Sequence, residues 1–458
     1  MSTPSHTSAG AHTGTHTSAH TSAPDVSAPE HLIIWPDEAR RKRFEAWLDR
    51  IAPTHHLHTA SLRAASADAS FRRYFRIDAA KAAGPSFIVM DAPPPLEDVR
   101  PFVSVAAQLA HANLLAPRVL ESDPEHGFLL LSDMGQRLCL DALHGAVAAQ
   151  DTVAVNSLMR SAVSTLVTWQ QRIDASVLPP YSDALLNRDL SLFPEWCVAR
   201  ELGVQWTPEE QAVWQDAAAA LVQSALAQPT VAVHRDYMPR NLMLSADNAI
   251  GILDFQDAVR GPISYDVASL LRDAFISWDE DQEIDWAVRY WQQAKKVGLP
   301  VDADFGEFWR QVEWMGLQRH LKVLGIFCRL KHRDGKPKYS ADLPRFFYYA
   351  HKVAARYNAL RPLSRLLEPL MGVRGATCFT DSPGPNSKRP RRRATGCRQP
   401  RIVVGAAESR HQKLDESARA RRHVFACGHG GVNHLSGNLP FGHHTLQGVL
   451  HQRVSGHK

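Results

Sequence analysis

The stretch at 230–256, TVAVHRDYMPRNLMLSADNAIGILDFQ, constrains what this chain can fold into more than any other. Two β-rich apolar runs, TVAV and IGILDF, flank a polar loop and a turn at 245–248. His234, Arg235, Asp236 and Asn241 are thereby held in a loop between strands. A His-Arg-Asp triplet alone carries little information, because the chain repeats it at 332–334. There the fifth residue after the Asp is Tyr339, no strand ending in Asp follows, and the triplet reads as a charged turn at a helix end.

The first triplet differs in its surroundings. Asn241 lies five residues after Asp236, and thirteen residues further on an apolar run ends in Asp254. Phosphoryl transfer from ATP needs such a set. One carboxylate orients the attacking hydroxyl and accepts its proton, and hard oxygen ligands hold the Mg²⁺ that bridges the phosphates. The spacing marks Asp236 as the catalytic carboxylate and Asn241 and Asp254 as metal ligands. In the competing reading, Asp236 and Asn241 merely cap local backbone. His234 reads as a packed residue that shapes the loop.

The formal net charge of +5 hides a partition along the chain. Residues 373–458 hold 15 Lys/Arg against four acids, whereas residues 1–372 hold 37 basic and 43 acidic side chains. A case for nucleic-acid binding therefore rests on this tail alone, where KRPRRR (388–393) lacks interleaved aromatics. No apolar run approaches about 18 residues, and no basic stretch with an apolar core opens the chain, so neither a membrane span nor an export signal is expected. The six scattered Cys are expected to be free thiols of a reducing cytosol.

Residues 1–30 repeat His-Thr among Ser, Ala, Gly and Pro and are expected to be disordered, low-complexity chain. The basic tail, 373–458, lacks amphipathic periodicity and is expected to be disordered too, an extension that looks like slippage past a natural stop. Between them, a helix at about 36–50 is followed by strand-like FRRYFRI (71–77), SFIVMDA (86–92) and GFLLLSDMG (127–135), with a helical stretch at 96–114. These predict a small α+β unit over 31–135. From 136 to 372 the pattern is helical and Trp-rich, broken only by the 230–256 patch.

Several features differ from protein kinases. Asp254 is followed by Phe-Gln rather than Phe-Gly, Met238 stands where a Lys is usual, and no Ala-Pro-Glu segment follows. Instead, DFQDAVRGPISYDVASLLRD (254–273) resembles the aminoglycoside phosphotransferase/choline kinase superfamily, whose members phosphorylate small hydroxylated molecules. DASFRRYFRI (68–77), VMDAPPPLEDVRPF (89–102) and WMGLQRHLKVLGIFCRLKHRDGK (314–336) narrow the likeness. Together they are similar to the N-acetylmuramate/N-acetylglucosamine anomeric (C1) kinases of bacterial cell-wall recycling, in order over about 36–370. The resemblance implies an α+β, bilobal protein-kinase-like fold with a small β-rich N-lobe (31–135) and a larger helical C-lobe (136–372). It implies ATP and Mg²⁺ as cofactors, a free amino sugar as substrate, and a monomeric cytoplasmic enzyme with no membrane or nucleic-acid partner.

The same likeness implies site residues. Ser66, Asp68, Ala69 and Ser70 would form the turn over the ATP phosphates, and Ser132, Asp133 and Met134 the hinge that reads adenine. The Lys that relatives commonly carry on the third strand is absent, Met90 and Asp91 standing there, so Arg73 or Arg76 is expected to supply its charge. Arg319 and Lys322 lie in a helix apolar nearly all round, and would either pair with internal carboxylates or hold an anionic sugar such as N-acetylmuramate. Asp257 and Arg260 are further acceptor-side candidates. Asp266 is expected to cap its helix or brace the catalytic loop, and Trp278, Trp286, Trp291, Trp309 and Trp314 to pack helices rather than stack on sugars. Two alternatives remain: a kinase of the same fold acting on an aminoglycoside, choline or a hydroxylated amino acid, and a nucleic-acid-binding protein driven by the tail.

Overall fold

The computed structural model describes Ile33, Trp35, Asp37 and residues 38–67, 71–80 and 86–375. The expectations for residues 1–30, for Asp68, Ala69 and Ser70, for the Ser66 side chain, and for the tail from 376 onward lie outside the described residues and side chains. Helix α1 (Glu38–His55) starts where the Asp37 carboxylate accepts the Arg40 N–H at 2.6 Å, satisfying one of the unpaired donors of the first turn. It buries Phe44, Trp47, Leu48 and Ile51.

That face of α1 covers one side of a five-stranded antiparallel sheet. The strands are β1 (Arg63–Ala67), β2 (Arg73–Asp78), β3 (Ser86–Asp91), β4 (Val119–Asp123) and β5 (Phe128–Ser132), in the order β1-β2-β3-β5-β4. Successive side chains of a strand point to opposite faces. Phe75, Ile77, Phe87, Val89, Phe128 and Leu130 accordingly pack under α1. Met90, Leu129 and Leu131 face the other way, into the core shared with helix α2 (Arg100–His111) and the helical part. Because β5 is buried on both faces, it reads as an uninterrupted apolar run. Edge strand β4, VLESD, has no such run, and the pattern reading missed it.

The rest of the fold is mainly helical: α3 (Cys139–Ala148), α4 (Thr152–Arg172), α5 (Asp183–Leu192), α6 (Pro208–Leu226), α7 (Tyr265–Leu271), α8 (Glu280–Lys296), α9 (Phe305–His332), α10 (Leu343–Arg356) and α11 (Arg361–Gly375). Helix α9 is its spine, buried almost all round. It lies so close to the end of α5 that a Cβ at Gly325 would come within 2.4 Å of the Leu192 backbone. Trp278 and Trp286 pack edge to face, Trp291 meets Phe305, Trp314 meets Tyr357, and Trp309 lies against the Arg272 guanidinium, so the five tryptophans serve packing as expected. A buried ion network ties α8, α9 and α10 to Arg272 at the end of α7: Arg272 donates to Glu283 (3.0 Å) and Glu313 (3.1 Å), and Glu313 also accepts from Arg356 and Tyr357, each at 2.6 Å.

Residues 230–262 form two small antiparallel pairs, β6 (Thr230–Val233) with β9 (Val259–Pro262) and β7 (Leu242–Leu244) with β8 (Ile250–Ile252). The turn at 245–248 closes the second pair, with Asn248 at φ 63°. The repeated triplet lies at the end of α9, where His332 meets Glu201 at 2.7 Å and Arg333 pairs with Asp334, as a charged turn would. Cys139, Cys197 and Cys328 are buried, and Cys139 and Cys328 are free thiols. Among the described residues no helix is long and apolar enough to cross a membrane.

Candidate active site

The loop after β6 is fixed by its own backbone. Asp266, in the first turn of α7, accepts the N–H groups of His234 (2.7 Å) and Arg235 (3.0 Å) through its two carboxylate oxygens. Of the two roles expected for Asp266, bracing is the one observed. The double anchor holds Arg235 at φ 76°, a conformation unusual for a residue with a Cβ. His234 Nδ1 accepts the Asp236 N–H at 3.3 Å, so its Nε2 carries the proton and donates to the Leu253 carbonyl at 2.9 Å. Burial pushes the His234 pKa down to about 4. The imidazole is thus a neutral strut, packed against Trp169 and Tyr237.

The other end of the loop is tied back in the same way. Asn241 Nδ2 donates to the Asp236 carbonyl at 3.0 Å, and the Leu253 N–H donates to the Asn241 carbonyl at 2.9 Å. Directly after, Asp254 adopts φ 60°. Gln256 donates to both Asp254 (2.9 Å) and Asp257 (3.2 Å), a link that a Gly at this position could not make.

Between the sheet and this loop lies a cavity of ≈ 670 Å³. Ser132, Asp133 and Met134 line one part of it, and Asn241 and Asp254 another. Gly251 leaves room for Met134, whose Cε would lie 2.4 Å from a Cβ there. Arg76 grips Asp133 with two hydrogen bonds (2.6 and 3.0 Å) and donates to the Gly135 carbonyl at 2.9 Å. Burial would raise the Asp133 pKa, but the bonds from Arg76 and Ser86 outweigh it and hold the carboxyl below its usual range.

The alternation of β2 separates the two guanidinium groups expected to meet phosphate. Tyr74 and Arg76 face the cavity. Arg73 shares the opposite face with Phe75, where it pairs with Asp91 beside Arg40 and lies 4.3 Å over the Trp35 ring. Arg76 reaches the cavity but is engaged at the 132–135 segment. Arg72 precedes β2 at the i, i+2 spacing from Tyr74 and Arg76; it does not line the cavity itself but lies against Asp254, which does. Its Nη2 lies 3.7 Å from Asp254 Oδ1 and its Nε 3.6 Å from Glu97 Oε2. The i, i+2 alternation counted back from Arg76 was the available signal.

On the acceptor side, the Asp236 side chain is 42% exposed and Arg319 Nη2 lies 3.5 Å from its Oδ1. Burial acts to raise the Asp236 pKa, but Lys322, Arg319 and Arg235 together hold it below the usual carboxylate value. Lys322 itself is engaged behind the loop, 3.3 Å from both Asp189 and the Tyr265 hydroxyl. Asp189 also accepts from Arg235 (3.2 Å) and Tyr181 (2.6 Å). Of the two readings of the α9 cations, Lys322 takes the internal carboxylate and Arg319 faces the catalytic loop. Asp257 is exposed beside Asp254; Arg260 is exposed on β9 and does not line the cavity.

The donor set suits a hard divalent cation. With its nitrogen committed to the Asp236 carbonyl, Asn241 is left with an amide oxygen, and the Asp254 side chain is 32% exposed in the same cavity. One carboxylate and one amide oxygen, completed by water and phosphate oxygens, match the coordination habits of Mg²⁺.

This arrangement of sheet, interlobe cavity and anchored Asp-Asn loop is that of a small-molecule phosphotransferase. Residues 61–305 match the phosphotransferase enzyme family, and the chain belongs to that family. The solved structure of Plasmodium vivax ethanolamine kinase has the same protein-kinase-like fold, with a TM-score of 0.50 at 9% identity over 68% of this chain and 87% of that one. In sequence, the chain is 47% identical over 350 residues to a Pseudomonas putida protein named N-acetylmuramate/N-acetylglucosamine kinase, covering 75% of this chain and 98% of the relative. A Pseudomonas aeruginosa protein of the same name is 48% identical over 341 residues, covering 73% and 98%. The resemblance drawn from the motifs is borne out.

Proposed function

We propose that this protein transfers the γ-phosphoryl group of ATP to the anomeric hydroxyl of N-acetylmuramate and N-acetylglucosamine, giving sugar 1-phosphates for cell-wall recycling in the cytoplasm. The observation that carries this reading is one cavity bearing Asn241 and Asp254, with Asp236 on the adjoining loop, in a chain spanning 98% of two relatives named for that activity.

Asp236 accepts a hydrogen bond from the C1 hydroxyl and points its oxygen at the γ-phosphorus. Since Lys322, Arg319 and Arg235 keep Asp236 ionised and weakly basic, it orients first. It takes the proton late, as the new O–P bond forms and the bond to the β,γ-bridging oxygen breaks, releasing ADP. Asn241 and Asp254 would hold Mg²⁺, which supplies charge neutralisation to the phosphates. Ser132, Asp133 and Met134 form the adenine-reading hinge between an N-lobe ending at 135 and a C-lobe beginning at 136. Arg319, beside Asp236, favours an anionic acceptor such as the lactyl carboxylate of N-acetylmuramate and disfavours cationic aminoglycosides or choline. The tail has no part in this chemistry, and the enzyme acts as a monomer without a nucleic-acid partner.

An acceptor panel tests the reading. ADP release should depend on N-acetylmuramate or N-acetylglucosamine and stay at background with kanamycin or choline. A preference for either cation would refute it.

A further inference from the structure

Acids gather around Asp254 at the edge of the cavity, with Glu97 and Asp257 nearby. Asp254 and Glu97 flank Arg72, with carboxylate oxygens 3.7 and 3.6 Å from its guanidinium nitrogens. Only 10% of the side chain is exposed. Two sheet-borne guanidiniums line the cavity itself, and both are engaged: Arg76 is bound bidentately to Asp133 and Arg63 donates to Asp78 at 2.8 Å, while Arg73 and its partner Asp91 lie across the sheet. A polyphosphate entering beside Asp254 therefore needs a cation on the sheet side, and Arg72, the residue that leads into β2, is held there against Asp254.

We infer that Arg72 is the phosphate-binding cation of this enzyme, and that Glu97 is the residue that positions it. This rests on the kinase reading above. The guanidinium nitrogens lie 3.7 Å from Asp254 and 3.6 Å from Glu97, within reach of both carboxylates. A divalent ion held by Asp254 would compete with Arg72 for that carboxylate, and the planar fork of Arg72 would then exchange this contact for phosphate oxygens while Glu97 keeps hold of Nε. Glu97 also stands just ahead of α2, so the contact links the residue entering β2 to the segment leading into that helix. The arrangement explains how the site dispenses with a third-strand Lys: Met90 faces the core and Asp91 is occupied by Arg40 and Arg73.

The discriminating quantity is the gain in affinity per phosphate. Binding of adenosine, AMP, ADP and ATP, the nucleotides with Mg²⁺, is measured by calorimetry on the full chain and on R72A, R72K, R72Q and E97Q, with a melting curve for each. The wild type should gain strongly from adenosine to Mg·ATP. In R72A and R72Q, Mg·ATP should weaken roughly 10- to 100-fold while adenosine binding is unchanged. R72K should fall between, and E97Q should shift the same way by less. Equal loss for adenosine and Mg·ATP, or wild-type gain per phosphate in a folded R72Q or R72K, would overturn the inference while leaving the kinase reading intact. A wild-type protein with no gain from phosphates would overturn both.

Discussion

Asp236 lies where three cations oppose its desolvation, a setting for a carboxylate that must stay ionised beside an incoming hydroxyl. Replacing it with Asn keeps the shape and removes the charge. D236N should lose about 10³-fold in kcat, with ATP affinity and melting temperature near wild type, since general-base contributions run from roughly 10² to 10⁴. His234 gives a test that needs no substrate. Its pKa falls from 6.5 to about 4 on folding, so the unfolded chain takes up a proton in that window and the native protein does not. The stability due to neutral His234 is complete above pH 6.5 and is lost as pH falls through about 4, amounting to roughly 3 kcal/mol. Urea unfolding of H234N should show a flatter decline than wild type between these pH values; equal slopes would mean His234 titrates normally. At this scale the triad of Asp236, Asn241 and Asp254 was legible because one short stretch, a loop and the hairpin that follows it, carries all three. Asp189 was not: its partners Arg235 and Lys322 are 46 and well over 100 residues away, a pairing no local pattern encodes. Arg72 was legible in principle from the i, i+2 spacing to Tyr74 and Arg76, but its contact with Asp254, 182 residues on, is not encoded locally.

Helix α9 links packing to chemistry, since it carries Arg319 to the catalytic loop and Glu313 into the ion network. Glu313→Ala would leave Arg272 with half its partners and Arg356 without its buried one. Removing one member of a buried ion group costs about 3–5 kcal/mol, so the urea midpoint should fall sharply. Gly325→Ala should also destabilise, by about 1–3 kcal/mol, because the Leu192 backbone must move. A midpoint unchanged in both would contradict the packing described for α9. Strands β6 and β8 and the sheet core were readable from apolar runs bounded by turns, whereas β7 has only three residues and β9, VRGP, has no apolar run. The edge strand β4 was not, because half its side chains face water.

Across the whole molecule, every residue assigned to the site lies between 66 and 322, within the family match or on α9 just beyond it. A chain trimmed to 33–375 should therefore keep the wild-type kcat/KM for sugar and ATP; a large loss would give the terminal segments a catalytic part. The basic excess of 373–458 bears on solubility and non-specific contacts rather than on this chemistry.

The central claim is that one cleft places Asp236 against a sugar C1 hydroxyl in line with Mg·ATP. Phosphorus NMR of the product formed from N-acetylmuramate and ATP tests it most directly. The expected result is a sugar phosphate whose signal is split by the single anomeric proton, formed by the wild type and absent with D236N. A phosphate on C6, split by two protons, or full product formation by D236N, would contradict it.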